Sequence, residues 1–361
     1  MLKRSWCEID LNQLKINYSL CEKNLTSGCS ITAVVKADAY GHGAIPVAKA
    51  LQSVGCGSFA VSNLEEGIDL RENGINGQIL ILGYTPVTML KSVKNHGLCQ
   101  AVFSKEYAIE LIKENIPVDL QIVIDTGMNR IGFSWENPNE IAKTVEILGK
   151  TCKIKGFYTH LACVDDYDGK DFTSEQIKRF NRLLSGLDCK GLDCRHFSNS
   201  AYFLTGKNDF LSSVRLGICL YGLGNNLLQG VKPILKWKSV VVMVKKIKAG
   251  EGVGYGLSFV AKKDLVIATV ATGYADGFSF ALSNVGRVEI KGRLVNVVGR
   301  VCMDMLMVDV TDIENLTIGE EVILLGDNYG ADAMASDLNT IPYEIICSIS
   351  KRVPRAYKNL T

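Results

Sequence analysis

From residue 30 to about residue 222 the chain repeats one rhythm: a short apolar, β-branched run, a Gly or polar turn, then a charged segment with helical spacing. The apolar runs predict strands at Ser30–Ala37, Ser58–Ser62, Gln78–Gly83, Leu98–Phe103, Val118–Asp125, Lys153–His160, Cys194–Asn199 and Ser213–Leu220. Between them lie helical stretches such as AIPVAKALQSVG, LEEGIDLRENG, SKEYAIELIKEN and TSEQIKRFNRLLSGL. Eight strands alternating with helices predict an α/β fold of the closed (β/α)8, TIM-type barrel class. An open doubly wound sheet is the alternative arrangement of the same strands, disfavoured because no G-x-G-x-x-G opens the first helix. After about Lys232 the texture changes to strands separated by Gly and Asp turns, as in LKWKSVVVMVKKIKAG, LVIATVATGYADG and RVEIKGRLVNVVG. The expected organisation is therefore a barrel over residues 1–231 and a mostly β C-terminal domain over 232–361, packed firmly because no Pro-rich or Ser-rich linker separates them. A length of 361 residues suffices for both.

Composition narrows the function classes. With 47% hydrophobic and 22% charged residues the chain reads as an ordinary globular protein, and a net charge of +2 gives no case for nucleic acid or an anionic membrane as partner. No apolar stretch has membrane-spanning length, and MLKRSWCEIDL has no apolar core of signal-peptide length, so a cytoplasmic location is expected. The twelve cysteines never form a C-x-x-C pair; even Cys189 and Cys194 stand apart. Reduced thiols acting as small hydrophobes are expected, with no metal site, although Cys163 and Cys302 lie near the motifs below.

On the barrel reading, several polar residues fall at strand ends that converge on one mouth, where barrel active sites lie. Lys36 ends the first strand, Arg130 follows the fifth, His160 ends the sixth, Asn199 and Ser200 end the seventh, and Arg215 is on the eighth. Alone, a strand-end lysine is ordinarily solvated and a lone histidine ordinarily structural; five strand ends carrying such groups together point to a site. A lysine held against Val34 and Val35 is partly desolvated, which favours the free amine and suits Schiff-base chemistry with a carbonyl substrate or pyridoxal phosphate. The turn Ser198–Ser200 and the segment Arg215–Ile218 offer hydroxyl and backbone N–H groups suited to a phosphate.

Seven stretches carry a resemblance: AVVKADAYGHG, DTGMNRIGF at Asp125–Phe133, HFSNS at His196–Ser200, RLGICLYG at Arg215–Gly222, GYGLSF at Gly254–Phe259, GYADG at Gly273–Gly277 and GRVCMDMLMVDVT at Gly299–Thr311. In this order they resemble the alanine racemase family of pyridoxal phosphate enzymes along nearly the whole chain. The resemblance implies the same barrel and β domain, and a reaction that interconverts L-alanine and D-alanine, supplying D-alanine for a bacterial cell wall. It implies that Lys36 holds pyridoxal phosphate as a Schiff base and acts as one of two bases. Tyr255, from the second subunit of a head-to-tail homodimer, would be the other. Two bases suit racemisation because a proton leaves one face of a planar carbanion and returns to the opposite face. A tyrosine of pKa ~10 needs help at neutral pH, which the resemblance assigns to His160, linked to Arg215. Arg215 would face the pyridine nitrogen and keep it unprotonated, because a guanidinium only donates. Arg130 would bond the cofactor's phenolic oxygen and the substrate carboxylate, which the backbone of the partner's Met303 also meets. Tyr40, Ser200, Gly217 and Ile218 would hold the phosphate, with Asn199 beside them.

Two positions depart from the family pattern. Lys351, in SISKRVPR, stands where many relatives have a tyrosine bordering the phosphate and the substrate side chain; a lysine there can hold phosphate as a point charge and reopens the choice between alanine and serine. Val123 stands where many relatives have a carbamylated lysine that supports the arginine next to the cofactor, so Arg130 needs another support. The alternatives are a serine racemase of the vancomycin-resistance type or a broader amino-acid racemase, then a non-enzymatic pyridoxal phosphate carrier. The first usually carries a preceding membrane domain, of which this chain shows no sign. The carrier lacks a β domain. An amino-acid decarboxylase of the same fold type would add a cysteine and aspartate constellation that is not found.

Overall fold

The computed structural model describes residues 4–165, 170–187, 194–207, 209 and 211–358. Each of the eight apolar runs forms a parallel strand: Ser30–Val34, Ser58–Val61, Gln78–Ile81, Cys99–Val102, Asp119–Asp125, Lys153–Tyr158, Cys194–His196 and Ser213–Leu216. They pair in chain order, and the eighth returns to the first with Leu216 opposite Ala33. Between the seventh and eighth, two backbone bonds close the ring, Ser212 N to Arg195 O at 3.1 Å and Arg215 N to Ser198 O at 3.0 Å. The fold is thus a (β/α)8 barrel, and the open-sheet alternative falls. The sixth and seventh strands approach so closely at Gly156 that a Cβ there would lie 1.8 Å from the Cys194 carbonyl oxygen.

Several strands end before their apolar runs do: the first stops at Val34 rather than Ala37, the eighth at Leu216 rather than Leu220. Apolar run length reports burial, and the residues at the barrel mouth stay buried after ladder pairing has stopped.

The chain start does not belong to the barrel as expected. Ser5–Asp10 pairs antiparallel with Leu235–Ile247, Ser5 opposite Ser239, and parallel with Arg355–Lys358. Its side chains alternate buried and part-exposed, a pattern suited to a sheet with one wet face rather than to a barrel strand covered on both. Asp10 then caps the helix Leu11–Lys23, its carboxylate accepting the Gln13 N–H at 2.9 Å.

The thirteen-residue strand Leu235–Ile247 is the axis of the β domain. Its first half pairs with Ser5–Asp10 and Glu321–Leu325, its second half with Leu265–Val270, which in turn pairs with Leu306–Asp309. Two helices, Ala331–Leu338 and Pro342–Ser348, follow. One contiguous apolar core includes Cys7, the barrel strands and Val353, so the two parts pack as one body. Arg355 ties them: its Nε donates to the Gly41 carbonyl at 2.9 Å, its other nitrogens to the carbonyls of Ile349, Ser350 and Val353.

The cysteines among the described residues are free thiols; Cys189 lies outside the described residues. Among the described residues no group of three or more His, Cys, Asp or Glu is placed to hold a metal, and no helix is long and apolar enough to cross a membrane.

Candidate active site

A cavity of about 490 Å3 opens at the carboxyl ends of the barrel strands. Lys36, Tyr40, Arg130, His160, Asn199, Ser200, Arg215, Gly217 and Ile218 all line it. Lys36 follows the buried Val34 and Val35. The next four residues, Ala37, Asp38, Ala39 and Tyr40, are all left-handed, with φ of 52°, 54°, 51° and 53°. L-residues disfavour that region by roughly 1–2 kcal/mol each, so the turn persists because its surroundings fix it. Glu66 accepts the Ala37 N–H on Oε1 and the Ser62 N–H on Oε2, both at 2.7 Å. Asp38 accepts the Ala44 N–H at 2.7 Å. At the far end the buried His42 donates Nδ1–H to the carbonyls of Ala39 at 2.8 Å and Tyr40 at 3.1 Å, and its ring stacks on Tyr221 at 4.6 Å. Burial pulls the His42 pKa down to about 4, so the ring is neutral and this donor role is fixed. Lys36 itself is held below the ordinary lysine value, first by burial and then by the Arg130 guanidinium, with Arg215 adding and Glu66 and Cys347 opposing.

Arg215 is 3% exposed, yet no carboxylate among the described residues meets it. It donates to His196 Nδ1, to His160 Nδ1 at 3.3 Å and to the carbonyls of Thr159 at 2.8 Å and Phe197 at 3.3 Å, above the Tyr158 ring at 5.1 Å. Because a guanidinium only donates, both imidazoles accept at Nδ1 and carry their protons on Nε2. The Nε2–H of His196 is taken by Gln121 Oε1 at 2.8 Å. That of His160 has no partner among the described residues and is free for a group entering the cavity. Burial and the charges of Arg215, Arg130 and Lys36 pull the His160 pKa down to about 3, so it stays neutral. Burial pulls Arg215 down to about 10, and it stays charged. Its own Nε–H is also without a partner among the described residues, which leaves a donor for an acceptor such as an unprotonated pyridine nitrogen.

An anion cradle lies beside them. The Ile218 N–H is buried and has no acceptor among the described residues, an arrangement rare enough to imply a ligand. Ser200 Oγ accepts the Gly217 N–H at 3.0 Å and keeps its own proton to donate. Asn199 caps the short helix that carries Ser200, accepting the Tyr202 N–H at 2.9 Å. The Tyr40 hydroxyl fills the space above Gly217, where a Cβ would lie 2.5 Å from it. Hydroxyl donors, a free N–H and a lysine suit a phosphorylated aldehyde such as pyridoxal phosphate.

Arg130 hangs from a tight turn in which Asp125 Oδ1 accepts the N–H groups of Gly127 at 2.8 Å and Asn129 at 3.2 Å. The support that Val123 does not provide comes to the turn's backbone from the helix Lys170–Gly186. Arg179 donates to the Thr126 carbonyl at 3.0 Å, packed over Trp135 and Phe172. Gln176, fully buried, donates to Thr126 Oγ1 at 3.2 Å and to the His160 carbonyl at 3.1 Å, and accepts the Ala162 N–H at 2.9 Å.

Three expected residues lie elsewhere. Tyr255, 70% exposed, and Met303, 53% exposed, line an open recess on the β domain together with Met305 and Met307. Within one chain neither joins Lys36 in its cavity. Lys351 lies in an exposed turn and does not line the cavity; Tyr343, from the helix Pro342–Ser348, does, 5.8 Å from the Tyr40 ring.

The N-terminal domain of alanine racemase matches residues 9–225 and its C-terminal domain residues 234–357. The chain belongs to the alanine racemase family. An alanine racemase of Halothermothrix orenii is 41% identical, with 98% of this chain and 97% of the relative covered. The solved alanine racemase of Clostridium difficile 630 superposes with a TM-score of 0.91 at 36% identity, covering 99% of this chain and 96% of that one. The alanine racemase of Bartonella henselae, solved with covalently bound pyridoxal phosphate, superposes at 0.89 with 31% identity, covering 98% and 99%. Sequence reasoning missed the places of Glu66, His42, Gln176, Arg179 and Tyr343 around the cavity.

Proposed function

We propose that this chain interconverts L-alanine and D-alanine in the cytoplasm, with pyridoxal phosphate held by Lys36 and the active sites shared across a homodimer. The observation that carries the reading is a desolvated lysine beside an anion cradle and a buried guanidinium that no carboxylate among the described residues neutralises. When bound, the cofactor draws electrons from the substrate's α-carbon and makes its proton removable. Lys36, below its ordinary pKa, is poised to take or give that proton on one face. Arg215, charged and donor-only, leaves a ring nitrogen unprotonated and limits how far the ring accumulates negative charge.

The opposite face needs a second base. Tyr255 and Met303 are too exposed for residues whose work is done within one chain, and their recess, rich in methionine, has the character of a surface covered by a partner. With Tyr255 of the partner subunit brought to the cavity, the free Nε2–H of His160 would stabilise its phenolate. Arg130 is exposed at the mouth and has no partner among the described residues, which suits capture of the substrate carboxylate.

Incubation of the pure chain with pyridoxal phosphate and single L-amino acids, followed by separation of enantiomers, tests the reading. D-alanine should accumulate to equality with L-alanine. Absence of any D-product would sink racemisation, and faster turnover of serine would overturn the choice of substrate.

A further inference from the structure

We propose that Glu66 is a positioning residue for Lys36: its carboxylate accepts the backbone N–H of Ala37, next to the lysine, and of Ser62 at the end of the neighbouring strand, and so fixes the peptide from which the amine projects. The proposal deepens the racemase reading and rests on it for the role of Lys36.

Glu66 lies in the first turn of the helix Leu64–Glu72, where its N–H is capped by Asn63 Oδ1 at 3.0 Å. Its two oxygens are committed to two backbone donors. One is the N–H of Ala37, the peptide next to Lys36 and the first of the left-handed turn; the other is the N–H of Ser62, just past the second barrel strand. A carboxylate accepts at both oxygens, whereas a carboxamide would turn its NH2 toward one of the two donors. The site therefore selects an acid side chain over its amide. That acid fixes the first peptide of a backbone conformation that L-residues disfavour, so it holds Lys36 at the foot of the turn.

The charge has its own consequence. Burial acts first on the Lys36 amine, and the titratable groups that add to or oppose it are Arg130 after the fifth strand, Arg215 on the eighth, Cys347 from the β domain's last helix and Glu66. Two guanidiniums press the amine toward its neutral form, and Glu66 is the carboxylate that opposes them. A base that must accept a proton in one direction and return it in the other works best with a pKa near the operating pH. Glu66 opposes the lowering.

The first test does not need turnover. In the full-length, cofactor-free chain, competitive labelling with acetic anhydride and peptide mass spectrometry gives the pH midpoint of Lys36 reactivity. Glu66→Gln should lower that midpoint by on the order of one pH unit, while Glu66→Asp, which keeps the charge but reaches less far, should lie between Gln and wild type. In the holoenzyme, the acidic limb of kcat should move down by a similar amount in one direction of racemisation and not the other, which loss of packing alone would not produce. An unchanged midpoint in Glu66→Gln, or equal shifts in the Gln and Asp variants, overturns the proposal. A shifted midpoint in a chain that forms no D-alanine would leave Glu66 in place and refute the racemase reading instead.

Discussion

Replacing Gly217 by alanine tests the phosphate cradle through a single methyl group. An ideal Cβ there would lie 2.5 Å from the Tyr40 hydroxyl oxygen and 3.0 Å from its Cζ. The Tyr40 ring cannot swing away freely, being packed against Tyr221 at 5.1 Å and Tyr343 at 5.8 Å. Restoring a ~3.5 Å contact displaces the hydroxyl by about 1 Å, enough to take a ~2.7 Å hydrogen bond to a phosphate oxygen out of reach. Loss of one bond to a charged acceptor is worth about 1.5–3 kcal/mol, so pyridoxal phosphate should bind roughly ten- to a hundredfold more weakly. The backbone of Gly217 is not left-handed, so the substitution adds no backbone strain. Titration of the chain with pyridoxal phosphate, followed by visible absorbance, reads the change. Tyr40→Phe should weaken binding to a similar degree. In the Phe background the 2.5 Å contact is gone, and alanine at 217 should add little. Wild-type affinity in Gly217→Ala, or full additivity in the double variant, would refute the role given to the Tyr40 hydroxyl.

Two further outcomes follow from the same site. His42 and His160 are neutral in the fold with pKa values of about 4 and about 3, against ~6.5 when unfolded, so the stability they contribute is complete above ~6.5 and is lost as the pH falls toward those values. For His42 the loss is roughly 2–3 kcal/mol by about pH 4.5, and the gap in unfolding free energy between wild type and His42→Gln in urea titrations should narrow accordingly. Gln176→Leu strips partners from Thr126, the His160 carbonyl and the Ala162 N–H, and should cost about 2–4 kcal/mol in the same assay while raising KM through the turn that carries Arg130.

The barrel was legible because burial on both faces makes each strand an unbroken apolar run, and the runs recur between helical stretches. Residues at strand ends were legible for the same reason, since barrel geometry alone sends Lys36, His160, Asn199 and Arg215 to one mouth. The left-handed turn was not legible. Ala37, Asp38, Ala39 and Tyr40 carry no local signal for positive φ, which is imposed from outside by Glu66 and His42, the former distant in sequence and close in space. The start of the chain misled because SWCEID is short enough to fit either sheet, and its pairing with Arg355–Lys358 spans nearly the whole sequence. Tyr255 and Met303 had no signal of their own, because the group each is proposed to meet lies on another chain. The support of Arg130 was hidden by residue type: Gln176 and Arg179 read as ordinary polar positions of an amphipathic helix until the fold turns them onto Thr126.

A two-base site completed by a second subunit predicts that two inactive variants restore each other when mixed. Lys36→Ala and Tyr255→Phe should each form D-alanine negligibly when pure. After the two are mixed under conditions that exchange subunits, each mixed dimer contains one site with an intact Lys36 from one protomer and an intact Tyr255 from the other, and D-alanine formation should recover to roughly a quarter of wild type. No recovery despite demonstrated subunit exchange would contradict the shared site.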